Sequence, residues 1–490
     1  MRKLASVLFS LIVATAAFAS PSSYDAKPWL DDLAQMRAAI DEHYPNRDWL
    51  TEQREVSLDR WFERTAAALR ESLSEYEARR AIERLIERFN DGHVALRWPT
   101  ISGGERSAKP EIANEPITNP DVFCAARGYD SNQVSVGTAA ALPGFTPTDG
   151  PELFRTAAVM TSGRKLGVLR IGVFSPEGYP DACKQAVANV RIAVDKPCND
   201  ACSDRLLIEV LAVMTRSMIA SVERLKAAHA EVLLVDLTRN GGGTDWTEAA
   251  ARIISPVTLE SARILVRPSD AIADRWRDLS AKLRKEASGQ RPDNRQPLFG
   301  YAESAERISK GLRPCVAASC PRLVSAGFTT GLLPTRPIGA VSKQRWATDV
   351  FGPAQFPYRE SVWDGPVIVL VDDETWSAAE QFASLLRDND AAIVMGTRTG
   401  GAGCGHLYGN NPVTLKNSGA KLEMPNCVRL RRDGSNEVSG VVPDVPTGVR
   451  WNDGPSYAGR LTAARLPDAI AQAEAQLRSR NQAGQIDIRK

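Results

Sequence analysis

The sequence predicts an α/β fold, and three apolar runs predict it. Glu231-Val-Leu-Leu-Val-Asp236, Pro366-Val-Ile-Val-Leu-Val371 and Ala392-Ile-Val-Met395 are short and dominated by Val, Ile and Leu. Strands buried on both faces have this texture. Helical patterns follow the first two, beginning near Asp245 and running from Ser377 to Asp388. Strands that alternate with helices imply a sheet with helices packed on it.

The elements follow in order. Arg2 and Lys3 precede an apolar run from Leu4 to Ala17, and Ala17-Phe18-Ala19 stands before Ser20. A positive start, a short apolar core and an A-x-A-like site describe a secretory signal peptide over 1–19. The run is short of the roughly 20 residues a membrane span needs, although an uncleaved anchor is the alternative. No later run is apolar enough to span, so the reading is an exported chain, periplasmic or secreted. Residues 20–98 read as a helical region. Leu30, Leu33, Met36 and Ile40 recur at helical spacing over Trp29 to His43, and Ala81, Ile82, Leu85 and Ile86 over Glu71 to Phe89. Pro45 stops the first helix and Asn90-Asp91-Gly92 the second. Residues 99–165 are rich in Pro, Gly, Ser and Thr up to Gly150 and read as loops with short strands.

The α/β core is expected over 166–460. It opens with a strand from Leu166 to Ile171 and a long helix from Leu206 to His229. Residues 267–360 interrupt it as an insertion, with a charged helix from Asp274 to Glu286, Pro-rich loops and a cysteine pair. A helix from Ala463 to Arg478 and a tail fill 461–490.

With 490 residues, 43 % hydrophobic and 24 % charged, the composition is that of a globular protein and excludes disordered, collagenous and coiled-coil chains. Lys and Arg number 61 against 59 Asp and Glu, and without Arg2 and Lys3 the two counts are equal. There is no basic excess for a nucleic-acid partner. All eight cysteines lie beyond residue 19, and an even number in an exported chain favours disulfides. Cys198/Cys202 and Cys315/Cys320 are local pairs, and Cys404/Cys427 could clamp a hairpin, but spacing alone does not fix the connectivity. No C-x-x-C pair occurs and His43, His93, His229 and His406 are scattered, so no metal site is expected, and no cofactor.

Three places carry residues that could do chemistry. Asn240-Gly241-Gly242-Gly243 follows the first buried run; its backbone N–H groups can face a ligand, or it is a flexible turn. Ser377-Ala378-Ala379-Glu380 opens a helix, where the positive end of the dipole stabilises an oxyanion. The same four residues also spell a capping box. Asp91-Gly92-His93-Val94 closes the helical region, and a histidine has the pKa for a general base near neutral pH, although a structural histidine is the plainer reading.

Together these motifs resemble the serine peptidase family of C-terminal processing proteases and the tricorn protease core. Asp91-Gly92-His93-Val94 matches its D-G-H motif. Asp236-Leu237-Thr238-Arg239-Asn240-Gly241-Gly242-Gly243 matches its glycine turn, and Ser377 to Glu380 its Ser-Ala-x-Glu. Gly396, Thr399, Gly401 and Gly403 match a Gly-x-x-Thr-x-Gly-x-Gly segment, and Gly440-Val441-Val442-Pro443-Asp444 the close. All five occur in family order, across about Leu30 to Pro446. The resemblance implies a crotonase/ClpP-like ββα core with an N-terminal helical region and an inserted segment. No clear PDZ domain is legible.

One branch of that family places a lysine between the glycines of the Gly-x-Gly segment. Ala402 stands there, and alanine cannot accept a proton. The resemblance therefore points to the tricorn-like branch, with Ser377 as nucleophile, His93 as base and Glu437 orienting the imidazole and stabilising its charge. Backbone N–H groups of Ala378 and of Gly241 or Gly242 would form the oxyanion hole. A hydroxyl in the residue before the histidine is absent, since Gly92 stands there. His406 is a rival base, and Asp433 and Asp444 are other nearby acids. The implied activity is an exported serine endopeptidase acting on peptides or unfolded proteins, without cofactor. The alternative is a catalytically inactive ligand- or peptide-binding protein on the same scaffold. An α/β-hydrolase-type esterase is disfavoured, because no G-x-S-x-G surrounds Ser377.

Overall fold

The computed structural model describes residues 24–99, 119–148, 150–191, 198–315, 320–337, 344–409 and 412–487. The signal segment expected over 1–19, and 100–118 of the loop stretch, lie outside these residues.

Helix α1 (Lys27–His43) buries Trp29, Leu33, Met36 and Ile40 along one stripe, and Pro28 opens it. The helix expected over 71–89 is α3 (Glu75–Glu87), and a further helix that the sequence reading did not name, α2 (Leu58–Glu71), stands just before it. The break between the two has a local cause. Ser72 is extended, Ser74 accepts the N–H of Glu77, and the Glu77 carboxylate accepts the N–H of Leu73 at 2.7 Å, a new N-terminus. Strand β1 (Ala95–Arg97) follows the Asp91–His93 turn.

Beyond residue 118 come α4 (Pro120–Ala126), β2 (Thr146–Thr148), β3 (Thr156–Thr161), β4 (Arg164–Arg170), α5 (Pro180–Val190), α6 (Asp200–Ala227), β5 (Val232–Asp236) and α7 (Thr247–Ile254). β6 (Arg263–Val266) leads into the interrupting region, which holds α8 (Asp270–Ser288), α9 (Pro292–Gly311), β7 (Val324–Phe328) and α10 (Arg345–Val350). The chain continues through β8 (Val367–Val371), α11 (Ala378–Asp388), β9 (Ile393–Gly396), β10 (Val413–Thr414), β11 (Lys421–Glu423), β12 (Cys427–Leu430), β13 (Val445–Pro446) and α12 (Pro455–Asp487).

The main sheet has seven strands in the order β13-β9-β8-β5-β4-β3-β2. It is parallel from β4 to β13 and antiparallel through β3 and β2. Every residue of β5 and β8 is buried. Leu233, Val235, Val367 and Val369 pack with α6, α7 and α11 on one face. Val232, Leu234, Ile368 and Leu370 pack with Leu466, Ile470 and Ala473 of α12 on the other. Helices on both faces are why these strands lack polar alternation.

Two small sheets dock against this core. β1-β11-β10 lays Leu422 on the helical region, so that Leu415, Leu422 and Val438 complete its interior. β12-β6-β7 joins the interrupting region to the core. That region holds more helix than its prolines imply. Pro292 sits at the start of α9, where a missing N–H costs nothing, and α8 and α9 bury Trp276, Leu283, Leu298 and Ala305 together. All eight cysteines are paired: Cys124–Cys183, Cys198–Cys202, Cys315–Cys320 and Cys404–Cys427. Among the described residues no helix is long and apolar enough to cross a membrane, and no cluster of His, Cys, Asp or Glu could hold a metal ion.

Candidate active site

At the end of β8 the chain turns sharply before α11. Thr375 donates its hydroxyl to the Leu237 carbonyl at 3.0 Å, and the Trp376 N–H donates to the Asn240 carbonyl at 2.9 Å. The turn is thereby fastened to the glycine segment that follows β5. Ser377 sits at its apex with φ 54° and ψ −114°, a left-handed conformation unusual for a residue with a side chain. Gly242 lies against it. A methyl group on Gly242 would stand 2.8 Å from Ser377 Cβ and 2.9 Å from the Ala378 nitrogen, so only glycine fits.

Of the three proposed oxyanion donors, Gly242 has its N–H occupied by the Asn240 side chain at 2.9 Å. The N–H groups of Gly241 and Ala378 meet no hydrogen-bond acceptor among the described residues.

His93 is held from the N-terminal side. The buried Asp91 carboxylate accepts from Tyr44 Oη at 3.0 Å, from Asn46 Nδ2 at 2.9 Å and from the His93 N–H at 3.0 Å. Burial pushes its pKa up to about 6. The His93 ring meets the Ala402 carbonyl through Nδ1 at 2.6 Å. Nδ1 must carry the proton in that contact, which leaves Nε2 with its lone pair. Burial lowers the pKa of His93; the Ala402 carbonyl and Glu437 oppose this and Arg429 adds to it.

Glu380 connects the two halves. It is fully buried, and one carboxylate oxygen accepts the N–H groups of Ser377 at 3.0 Å and Ala402 at 2.8 Å. The other accepts from Thr399 Oγ1 at 2.6 Å and the Gly401 N–H at 2.8 Å. Ser377 and Glu380 are thus the helix cap the sequence spelled, and the cap carboxylate also carries the loop that supports His93. Glu437, 1 % exposed, is brought to the same place, but its carboxylate is chelated by Arg429 through Nε and Nη2. It makes no hydrogen bond to His93 among the described residues; the carbonyl of Ala402 holds the imidazole instead.

Residues 207–447 match the model of peptidase family S41. The chain belongs to that family of serine peptidases. A search of known proteins finds an uncharacterized protein of Chlamydia muridarum (strain MoPn / Nigg), 43 % identical over 47 residues, 10 % of this chain and 8 % of the relative. The chain therefore matches only a small part of that relative's length. Among solved structures, mature CPAF superposes with a TM-score of 0.59 at 14 % identity, covering 93 % of this chain and 98 % of that one. Mature CPAF complexed with lactacystin gives 0.56 at 16 % identity, covering 92 % and 99 %. At these identities the likeness establishes the shared fold.

In this S41 chain His406 also lies beside His93, their rings 5.9 Å apart and nearly perpendicular. It is on the exposed side. Asp433 is exposed and accepts from Ser435. Asp444 accepts the Val394 N–H at 2.9 Å and Arg387 at 2.8 Å, tying the end of β9 to α11. Neither acid contacts His93 among the described residues. The sequence reading missed Arg429. Its one signal was a charge inside the short strand Cys427-Val428-Arg429-Leu430, where a buried arginine requires acidic and carbonyl partners.

Proposed function

We propose that this S41 chain is an exported serine endopeptidase that hydrolyses peptide bonds in peptides or unfolded proteins. One observation carries the reading. A single carboxylate oxygen of Glu380 joins the backbone of Ser377 to that of Ala402, whose carbonyl holds His93. A serine with φ 54° at a helix N-terminus and a histidine whose Nε2 has no hydrogen-bond partner among the described residues thus share one support.

In the proposed reaction, Ser377 Oγ forms a bond to the scissile carbonyl carbon and passes its proton to His93 Nε2. Negative charge collects on the carbonyl oxygen and is met by the N–H groups of Ala378 and Gly241. A donor of this kind is worth about 10²–10³ in turnover. The C–N bond then breaks and His93 returns the proton to the leaving amine. Water, deprotonated by His93, releases the acyl group and regenerates the serine. Glu437 acts through its charge, which favours the imidazolium. Export is supported by the basic and apolar start of the sequence and by four disulfides, which persist in oxidising compartments.

The test is labelling of the purified protein with a fluorophosphonate probe. Wild type labels; Ser377→Ala and His93→Ala do not; His406→Ala does. Labelling lost in His406→Ala but kept in His93→Ala would transfer the role of base to His406. A folded wild type that does not label supports the binding-protein alternative.

A further inference from the structure

Beneath the nucleophile lies a buried cation that the proposed reaction does not use. Arg429, on β12, is 5 % exposed. Its guanidinium reaches five acceptors. Nη2 contacts the Gly403 carbonyl at 3.0 Å, the Ser377 carbonyl at 3.3 Å and Glu437 Oε1 at 2.7 Å; Nε pairs with Glu437 Oε2; Nη1 donates to Gln381 Oε1 at 2.8 Å. Gln381 in turn donates to Glu248 at 2.7 Å, and Glu248 is paired with the buried Arg252.

The contacts are complementary to those of Glu380. Glu380 takes the N–H of Ser377 and those of Gly401 and Ala402; Arg429 donates to the carbonyls of Ser377 and Gly403. Both polar backbone groups of the serine, and both ends of the 401–403 segment under His93, are therefore gripped by one buried anion and one buried cation. The Cys404–Cys427 disulfide closes the same segment onto the strand that carries Arg429. We infer that Arg429 is a positioning residue, holding Ser377 at a fixed separation from the His93 support while neutralising Glu437. The inference rests on the peptidase reading above.

Planarity is what the position uses. A guanidinium presents five N–H donors in a fixed fork, whereas an ammonium has three on one atom and cannot reach two carbonyls, an amide and a carboxylate together. The charges around His93 supply a second readout. Asp91 faces it from its own turn, His406 from the loop after Cys404, Arg429 from β12 and Glu437 from the turn beyond, with Glu380 behind Ala402. Arg429 disfavours the imidazolium and Glu437 favours it, so the two oppose each other at His93.

The experiment compares wild type, Arg429→Lys, Glu437→Gln and the double variant Arg429→Gln/Glu437→Gln, which removes the ion pair as a whole and guards against a single variant that fails to fold. Folding is checked by thermal denaturation, activity by peptide hydrolysis, and the His93 titration by NMR of the Cε1 proton in a Ser377→Ala background, which needs no activity. Arg429→Lys is expected to lose about 10²-fold in kcat with little change in KM, as for a small misplacement of reacting groups. Glu437→Gln is expected to move the His93 titration to lower pH, and the double variant to bring it back toward wild type while kcat stays low. A folded Arg429→Lys with wild-type kcat, or a titration that Glu437→Gln leaves in place, overturns the inference while leaving the peptidase reading standing. A folded wild type that neither labels nor hydrolyses any peptide overturns the peptidase reading and the kcat part with it, and the titration still decides the charge part.

Discussion

His93 Nδ1 lies 2.6 Å from the carbonyl oxygen of Ala402, the residue standing where the Ser/Lys branch of the resemblance has its lysine. Ala402 enters the candidate site through its backbone. Its N–H is held by Glu380 and its carbonyl fixes the imidazole, so the side chain can be a methyl group. The acid of the proposed triad is correspondingly displaced: Glu437 serves Arg429 and reaches His93 only through space.

The first prediction concerns pH. A general base works unprotonated, and burial lowers the pKa of His93 below its ordinary 6.5. A lowered pKa keeps the ring neutral to lower pH. The acid limb of kcat/KM is therefore expected below pH 6.5, with full activity at neutrality. A limb above 6.5 contradicts the buried, Ala402-bound imidazole.

Stability should depend on pH through Asp91. Its carboxyl is raised from 3.8 to about 6 by burial, so the folded state holds its proton where the unfolded chain has lost it. The resulting stabilisation is complete below pH 3.8 and lost as pH rises through about 6; a shift of this size corresponds to about 3 kcal/mol. Urea denaturation of Asp91→Asn is expected to show a smaller difference between pH 4 and pH 7 than wild type. An unchanged difference would assign the slope to other groups, Asp372 first, since burial also pushes it to about 6.

Much of this architecture was legible in sequence, and the reason is burial. β5 and β8 are covered on both faces, so their runs are apolar without interruption. The turns were legible because backbone geometry restricts composition there: Gly242 must be glycine beside Ser377. Pairings between distant segments left no local trace. Nothing in Arg429 alone announces Ser377, 52 residues away. Nothing near Glu437 shows that an arginine eight residues earlier claims its carboxylate. Helix α2 was missed although Leu58, Phe62, Thr65 and Leu69 form its buried stripe, because the interior they complete is supplied by distant segments.

Glu380 should prove indispensable beyond its role as a cap. Its two oxygens accept four hydrogen bonds, from Ser377, Thr399, Gly401 and Ala402. A glutamine offers one oxygen and points an NH₂ group at donors. Each unmet buried group costs about 1–3 kcal/mol. Glu380→Gln is expected to lower the melting temperature and abolish fluorophosphonate labelling together. Ordinary N-cap loss costs about 1 kcal/mol, so a variant that loses only that and still labels would reduce Glu380 to a cap.

The sharpest prediction is Gly405→Ala. A Cβ built on Gly405 would stand 2.7 Å from His93 Nε2 and 3.0 Å from Cδ2, in the space the base needs. Gly405 has an ordinary backbone conformation, so alanine brings no φ penalty, and the residue is only half-buried. The methyl group must therefore displace the imidazole from the nitrogen that accepts the serine proton, while the Ala402 contact at Nδ1 resists the movement. A displacement of reacting groups by about 1 Å commonly costs about 10² in rate. Gly405→Ala is expected to lose labelling and hydrolysis to that extent with a melting temperature close to wild type. Retained activity would mean that the reacting nitrogen does not lie beside Gly405, and that the base acts from another rotamer or from His406.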